Sequence, residues 1–191
     1  LGCGSGVVGL ALAKSKKIKG KLYASDLSID AVKFLKINAD RYDIDVDARS
    51  GSIFDPWKDE KFDYIIDDIS GVAKRIAEIS PWFKETACDA GEDGAALVID
   101  AIEKSPNYLN PNGKFFFPIL SLSNSDIILS KANDTYKNVD KLSSHKWKIP
   151  EDMMGHHEEL FELKRDKKIY FEEKYGWLLW STDVFVAYNP R

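Results

Sequence analysis

Apolar positions along the first part of the chain switch between two spacings. Short runs of strand character, Leu22 to Asp26, Ile44 to Ser50 and Tyr64 to Asp67, are separated by helical spacing over Val7 to Ser15 and Ile29 to Arg41. Ser28 stands where it can cap the second helix, whose pattern puts Ala31, Phe34, Leu35 and Asn38 on one face. Alternation of this kind predicts right-handed crossovers and a parallel sheet. Between Asp68 and Gly94 the periodicity weakens around Ser80-Pro81-Trp82-Phe83 and the acidic Cys88 to Gly94. It returns with a helix over Ala95 to Lys104, a turn at Pro111-Asn112-Gly113 and a strand over Lys114 to Leu120. A helix capped by Ser123 or Asn124 then runs to Ala132, and Val139 to Trp147 reads as a strand. Pro150 to Lys167 is helical, and Lys168 to Tyr188 has the aromatic and β-branched content of a hairpin turning at Tyr175-Gly176.

The segment Leu1-Gly2-Cys3-Gly4-Ser5-Gly6 lies directly before the first helix. Glycines at every second position let a backbone turn tightly and admit a ligand without a Cβ in the way, and the helix behind them offers unpaired N–H groups. Gly4-x-Gly6-x-x-Gly9 satisfies the dinucleotide fingerprint, while Gly2-x-Gly4-x-Gly6 also suits a different adenosine cofactor. Asp26 closes the next strand about twenty positions later, where a carboxylate can accept both hydroxyls of an adenosine ribose.

The order of the later motifs separates the two cofactor classes. Gly2 to Gly6, then Asp26-Leu27 leading into a helix that ends near Asn38, then Gly51-Ser52-Ile53-Phe54-Asp55-Pro56-Trp57, then Phe62 to Asp68 resemble, in order, the motifs of the class I S-adenosylmethionine (SAM) methyltransferases. The resemblance implies an α/β, Rossmann-like, mostly parallel seven-stranded sheet with helices on both faces and a C-terminal antiparallel strand, Thr182 to Tyr188, slotted between the fifth and sixth strands. It implies one SAM-binding domain over residues 1–191, whose first strand lies upstream of Gly2 and carries an acidic residue. SAM is the implied cofactor, held by Gly2, Cys3, Gly4, Ser5, Gly6, Asp26, Leu27, Ser52 and Ile53. Glutamine and adenine amino-methyltransferases of this family carry Asn-Pro-Pro-Tyr at the end of the fourth strand, whereas this chain has Asp68-Ile69-Ser70-Gly71. Asp68 takes the Asn position, either receiving a proton or hydrogen bond from the methyl acceptor or only finishing the strand. The expected function is methyl transfer to an unassigned acceptor, a small molecule or a nitrogen or oxygen of RNA or protein. The alternatives are a Rossmann-type NAD(P)-dependent oxidoreductase and a SAM-binding module without catalysis.

Composition narrows the partners. Acidic residues number 31 against 27 Lys plus Arg, a net charge of -4 that does not favour a nucleic-acid binder. Lys14, Lys16, Lys17, Lys19 and Lys21, and Lys164, Arg165, Lys167 and Lys168, cluster locally but read first as solvated helix ends. Cys3 and Cys88 make no disulfide framework, which suits a reducing cytoplasm, and no apolar run approaches membrane-spanning length. Trp82, Phe83, Trp147, Trp177 and Trp180 are read as core or as stacking surface for an aromatic substrate. His145, His156 and His157 fit no metal-ligand spacing, so no metal is expected.

Overall fold

The computed structural model describes residues 1–18, 20–69, 71–83 and 90–191; Lys19, Ser70 and Cys88 lie outside the described residues. The chain divides into two compact units, Leu1–Glu60 and Lys61–Arg191.

In the first unit, helix α1 (Val7–Lys14) is followed by strand β1 (Leu22–Asp26), helix α2 (Ile29–Tyr42) and strand β2 (Val46–Ser50). The strands pair in parallel, with Leu22 beside Val46 and Asp26 beside Ser50. Buried Leu10, Leu22 and Ala39 form one small core, and Ala24, Val32, Leu35 and Ala48 form another. The face that α2 buries is therefore Val32, Leu35 and Ala39. Phe34, placed on that face by the pattern, is 60% exposed, because helical spacing from Leu35 picks out positions three before and four after it. Ser28 caps the helix as expected, accepting from the Ala31 N–H at 3.2 Å.

The second unit holds a five-stranded sheet. Strand β3 (Phe62–Ile66) pairs in parallel with β4 (Leu109–Leu120), and β7 (Trp177–Pro190) lies antiparallel between β4 and β5 (Tyr136–Lys148). Strand β6 (Glu172–Lys174) joins β7 through Tyr175-Gly176, both at positive φ (51° and 78°), the geometry of a two-residue hairpin turn. Helices α3 (Lys74–Ile79), α4 (Ala96–Lys104), α5 (Ser125–Thr135) and α6 (His157–Arg165) complete the unit, α6 preceded by a 3₁₀ segment, Glu151–His156. Asn124, not Ser123, caps α5. Phe115, Phe117 and Tyr136 are fully buried, and Phe115 stacks on Phe117 at 5.4 Å and on Tyr136 at 6.5 Å while Phe117 stacks on Phe185 at 5.7 Å. A second core gathers Ile76, Leu122, Met153, Leu160, Phe171, Leu178 and Trp180.

The terminal antiparallel strand sits between its two neighbours as expected. The single, mostly parallel seven-stranded sheet is corrected: the described residues contain seven strands, but divided into a parallel pair and a mixed sheet of five. The mixture follows from β7, a long strand that presents both edges and takes β4, β5 and β6 all antiparallel. No helix among the described residues is long and apolar enough to cross a membrane.

Candidate functional site

The first unit assembles most of the residues singled out in the sequence. Gly2, Gly4 and Gly6 have φ of 62°, 50° and 92°, left-handed values that a side chain resists, so the turn requires glycine. The loop is tied to β1 by the Cys3 N–H donating to the Ser25 carbonyl at 2.9 Å, and it closes with the Gly6 N–H donating to the Cys3 carbonyl at 2.8 Å. Gly6 is the N-cap of α1 and no side chain caps that helix, so its first-turn N–H groups point out of the turn with no intrahelical acceptor. A Cβ built on Gly4 meets nothing within 4 Å, which leaves open room beside the backbone.

Asp26 connects this turn to the next loop. Its Oδ2 accepts from the Gly4 N–H at 2.8 Å and its Oδ1 from the Ser28 N–H at 2.9 Å. An ionised carboxylate has about four acceptor positions. Two are used in holding the turn, and the others remain for a ligand's hydroxyls. Asp26 therefore does the structural work of a cap and keeps acceptors free. Its neighbour Leu27 is 65% exposed, an apolar surface at the same strand end.

The loop after β2 is anchored to the same strand end. The Gly51 N–H donates to the Asp26 carbonyl at 2.9 Å, and the Ser25 hydroxyl donates to the Ile53 carbonyl at 3.4 Å. Ile53 is buried and has φ 45°, a conformation that costs a β-branched residue of order 1–3 kcal/mol and that clusters at ligand clamps. Ser52 is exposed beside it. Spacing could not have found two further supports. The Asn38 amide donates to the Ser5 carbonyl at 3.0 Å, and buried Trp57 donates from Nε1 to Ser25 Oγ at 3.1 Å with the Arg49 guanidinium 4.4 Å above its ring. Burial, then the nearby Asp26 charge, push the Cys3 thiol up to about 11, so it stays protonated and acts as a small neutral turn residue.

Asp68 belongs to the second unit, at the end of β3. Its side chain is exposed, although the protein around it still raises its carboxyl through partial desolvation. The acid that the motif does not single out is Asp67, only 2% exposed. Its Oδ1 accepts from the Ile69 N–H at 3.1 Å and its Oδ2 has no hydrogen-bond partner among the described residues. Burial pushes Asp67 up to about 7, with the Asp68 charge adding in the same direction. Asp67 can thus hold or release a proton near neutral pH. The alternation of β3 was the signal available: Ile65 and Asp67 share a face, and Ile65 is buried.

The histidines have other partners. His156 pairs with Glu159 at 2.9 Å, His157 stacks on Phe161 at 4.3 Å, and His145 lies on Trp147. Among the described residues no three His, Cys, Asp or Glu side chains group as a metal site. A cleft of about 400 Å³ between Arg75, Ser80, Pro81, Asp152 and His156 also lies in the second unit, and Arg75 is already paired with Glu78 at 2.7 Å and with Glu159.

A glycine turn, a strand-end carboxylate and a strained loop joined by backbone hydrogen bonds define an α/β protein whose candidate ligand residues gather at one strand end. Comparison with known proteins is more specific. Residues 1–68 match the methyltransferase small domain family. The chain is 30% identical over 121 residues to a release factor glutamine methyltransferase of Geobacter sulfurreducens, covering 59% of this chain and 41% of that one. It is 24% identical over 175 residues to a protein of the same name from Thermosynechococcus vestitus, covering 82% and 54%. Its fold is similar to that of a Geobacter metallireducens precorrin-6y C5,15-methyltransferase, with a TM-score of 0.57 at 11% identity over 99% of this chain and 76% of that one. The chain thus matches a methyltransferase family over its first 68 residues and has the α/β fold of solved methyltransferases. It spans 41% of the length of the first of these relatives.

Proposed function

We propose that this protein is a SAM-dependent methyltransferase, a transferase whose two units act as one catalytic domain. The observation that carries the reading is the grip of Asp26 on the Gly4 and Ser28 amides, which holds the glycine turn open while leaving acceptor positions free. The residues present fit SAM: open space beside Gly4 and the first-turn amides of α1 suit the methionine end, Asp26 the ribose hydroxyls, and Leu27, Ser52 and Ile53 the adenine. Bound there, the cofactor would supply an electrophilic methyl on a sulfonium, whose thioether leaves without acid help. The protein's tasks are then to place the acceptor behind that methyl and to take its proton where needed.

Asp68 stands where the glutamine and adenine amino-methyltransferases carry Asn, and this difference bears on the acceptor. Asn at the fourth strand's end can both donate to and accept from an amide, whereas ionised Asp68 can only accept. An acceptor whose reacting atom carries a proton, an amine or a hydroxyl, suits Asp68. The cytoplasm is the setting we assign, in keeping with the free Cys3 thiol.

The test uses Asp68→Asn. SAM affinity should stay nearly intact while turnover falls, by about 10²–10⁴-fold if Asp68 takes the proton. Wild-type turnover in the variant would make Asp68 a structural group, and SAM binding without turnover in any extract fraction would favour a binding module.

A further inference from the structure

Trp57 is the largest side chain that the first unit buries, 2% exposed, and it ends the 3₁₀ turn Asp55–Trp57 that closes the loop after β2. Its surroundings hold the ring in one orientation. The Arg49 guanidinium lies 4.4 Å over one face, fixed by two bonds to the Asp47 carboxylate at 2.7 and 3.0 Å and one to the Pro56 carbonyl at 2.8 Å. The Tyr23 ring meets it at 83°, with 5.7 Å between centroids. Held in this way, the indole N–H is directed at Ser25 Oγ, 3.1 Å away.

Filling the core needs no N–H. What the N–H adds is a direction for the Ser25 hydroxyl. An indole only donates, so it occupies a lone pair of Ser25 Oγ and leaves the single hydroxyl proton for another acceptor. That acceptor is the Ile53 carbonyl, at 3.4 Å, and with Ser25 only 2% exposed little water competes for the proton. Ile53 has φ 45°, a conformation that persists only where neighbouring groups over-determine it. Here they are the Ser25 hydroxyl on its carbonyl and Pro56, whose Cγ would lie 2.7 Å from a Cβ on Gly51 at the start of the loop. Ser52, between these anchored points, is exposed, and neither its N–H nor its hydroxyl has a hydrogen-bond partner among the described residues.

We propose that Trp57 is a positioning residue that sets the base specificity of the cofactor site: by orienting the Ser25 hydroxyl it holds the Ser52–Ile53 backbone in the form that takes adenine and rejects hypoxanthine. The inference rests on the reading of this loop as the adenine side of a SAM site. Adenine presents N1 as an acceptor, whereas hypoxanthine presents an N1–H in its place, so a fixed backbone N–H pairs with the first and opposes the second. A loop free to turn at Ile53 loses that distinction, because its peptides can swing the N–H away or offer a carbonyl instead. Trp57 is buried and acts only through Ser25.

Calorimetric titration of S-adenosylhomocysteine and S-inosylhomocysteine into wild type, Trp57→Phe and Ser25→Ala tests it. The wild type should bind the adenosyl ligand more tightly than the inosyl one by about tenfold, the worth of about one hydrogen bond. In Trp57→Phe, which keeps an apolar ring but removes the N–H, the adenosyl Kd should rise by about the same factor while the inosyl Kd stays nearly unchanged, so that the ratio approaches one. Ser25→Ala removes the hydroxyl itself and should lower the ratio in the same way, which keeps the test standing if the phenylalanine variant does not fold. The double variant should lose nothing further, because both changes act through one hydroxyl. Both ligands weakened equally, with the ratio kept in the folded variants, would reduce Trp57 to packing and overturn the proposal, as would additive losses in the double variant or equal binding of both ligands by the wild type. Binding of neither ligand by the wild type would overturn the SAM reading together with this inference, whereas a kept ratio overturns the inference alone.

Discussion

Asp67→Asn isolates one buried charge and should stabilise the fold at neutral and alkaline pH. In the wild type the carboxyl is 2% exposed, one oxygen accepts from the Ile69 N–H, and the other has no partner among the described residues. Asparagine keeps the acceptor for Ile69 and exchanges an orphan oxygen for an orphan amide that cannot ionise. The Asp67 pKa is raised by burial from 3.8 to about 7, so the folded state holds a proton that the unfolded chain has released. Stability therefore falls as pH rises through that window; it is fully present below about 3.8 and the loss is complete above about 7. At about 1.4 kcal/mol per pH unit the full penalty is up to about 4 kcal/mol, and water entry or relaxation around Oδ2 would lower it. Urea denaturation of both proteins from pH 4 to 8.5 measures the difference, in which all other titrating groups cancel. The two should have nearly equal stability at the acid end, and Asn should gain progressively to a plateau just above pH 7. A stability difference independent of pH would refute the buried-proton account.

Gly94→Ala should destabilise strongly, because φ is 75° and a Cβ there would lie 2.3 Å from the Val72 and Ala73 backbone; a fall in urea midpoint equivalent to more than about 2 kcal/mol is expected. Ser28→Ala removes the cap of α2 and should cost about 1 kcal/mol in the same assay, with Ser28→Gly costing only a few tenths.

How much of the fold and site is legible in the sequence depends on whether the signal is local. The glycine turn, Asp26, the Ser28 cap and the Tyr175-Gly176 hairpin are set by neighbouring residues and conformational preference, and each stands where the pattern places it. Helix α3 escapes the pattern because it has only six residues, carries no capping side chain, and is specified by burial of Val72, Ala73 and Ile76. Strand β4 begins earlier than the pattern allows, because Pro111-Asn112-Gly113 is a bulge within it: Phe62 pairs with Leu109, and Tyr64 next pairs with Lys114. Asp67 stays hidden behind Asp68 because the motif singles out Asp68, and the one local sign, alternation with Ile65, is short. Two adjacent acids look alike in sequence, and only the packed strand shows which one is deprived of water.

The central claim is that Asp26 holds the ribose of SAM while bracing the glycine turn, and calorimetric titration of SAM into wild type and Asp26→Ala tests it most directly. The wild type should bind SAM in preference to NAD(P). The variant, confirmed as folded by its circular-dichroism melt, should bind SAM more weakly by about 1–3 kcal/mol, the cost of leaving polar groups unpaired. Unchanged SAM affinity in the folded variant, or NAD(P) bound more tightly than SAM by the wild type, would contradict the account.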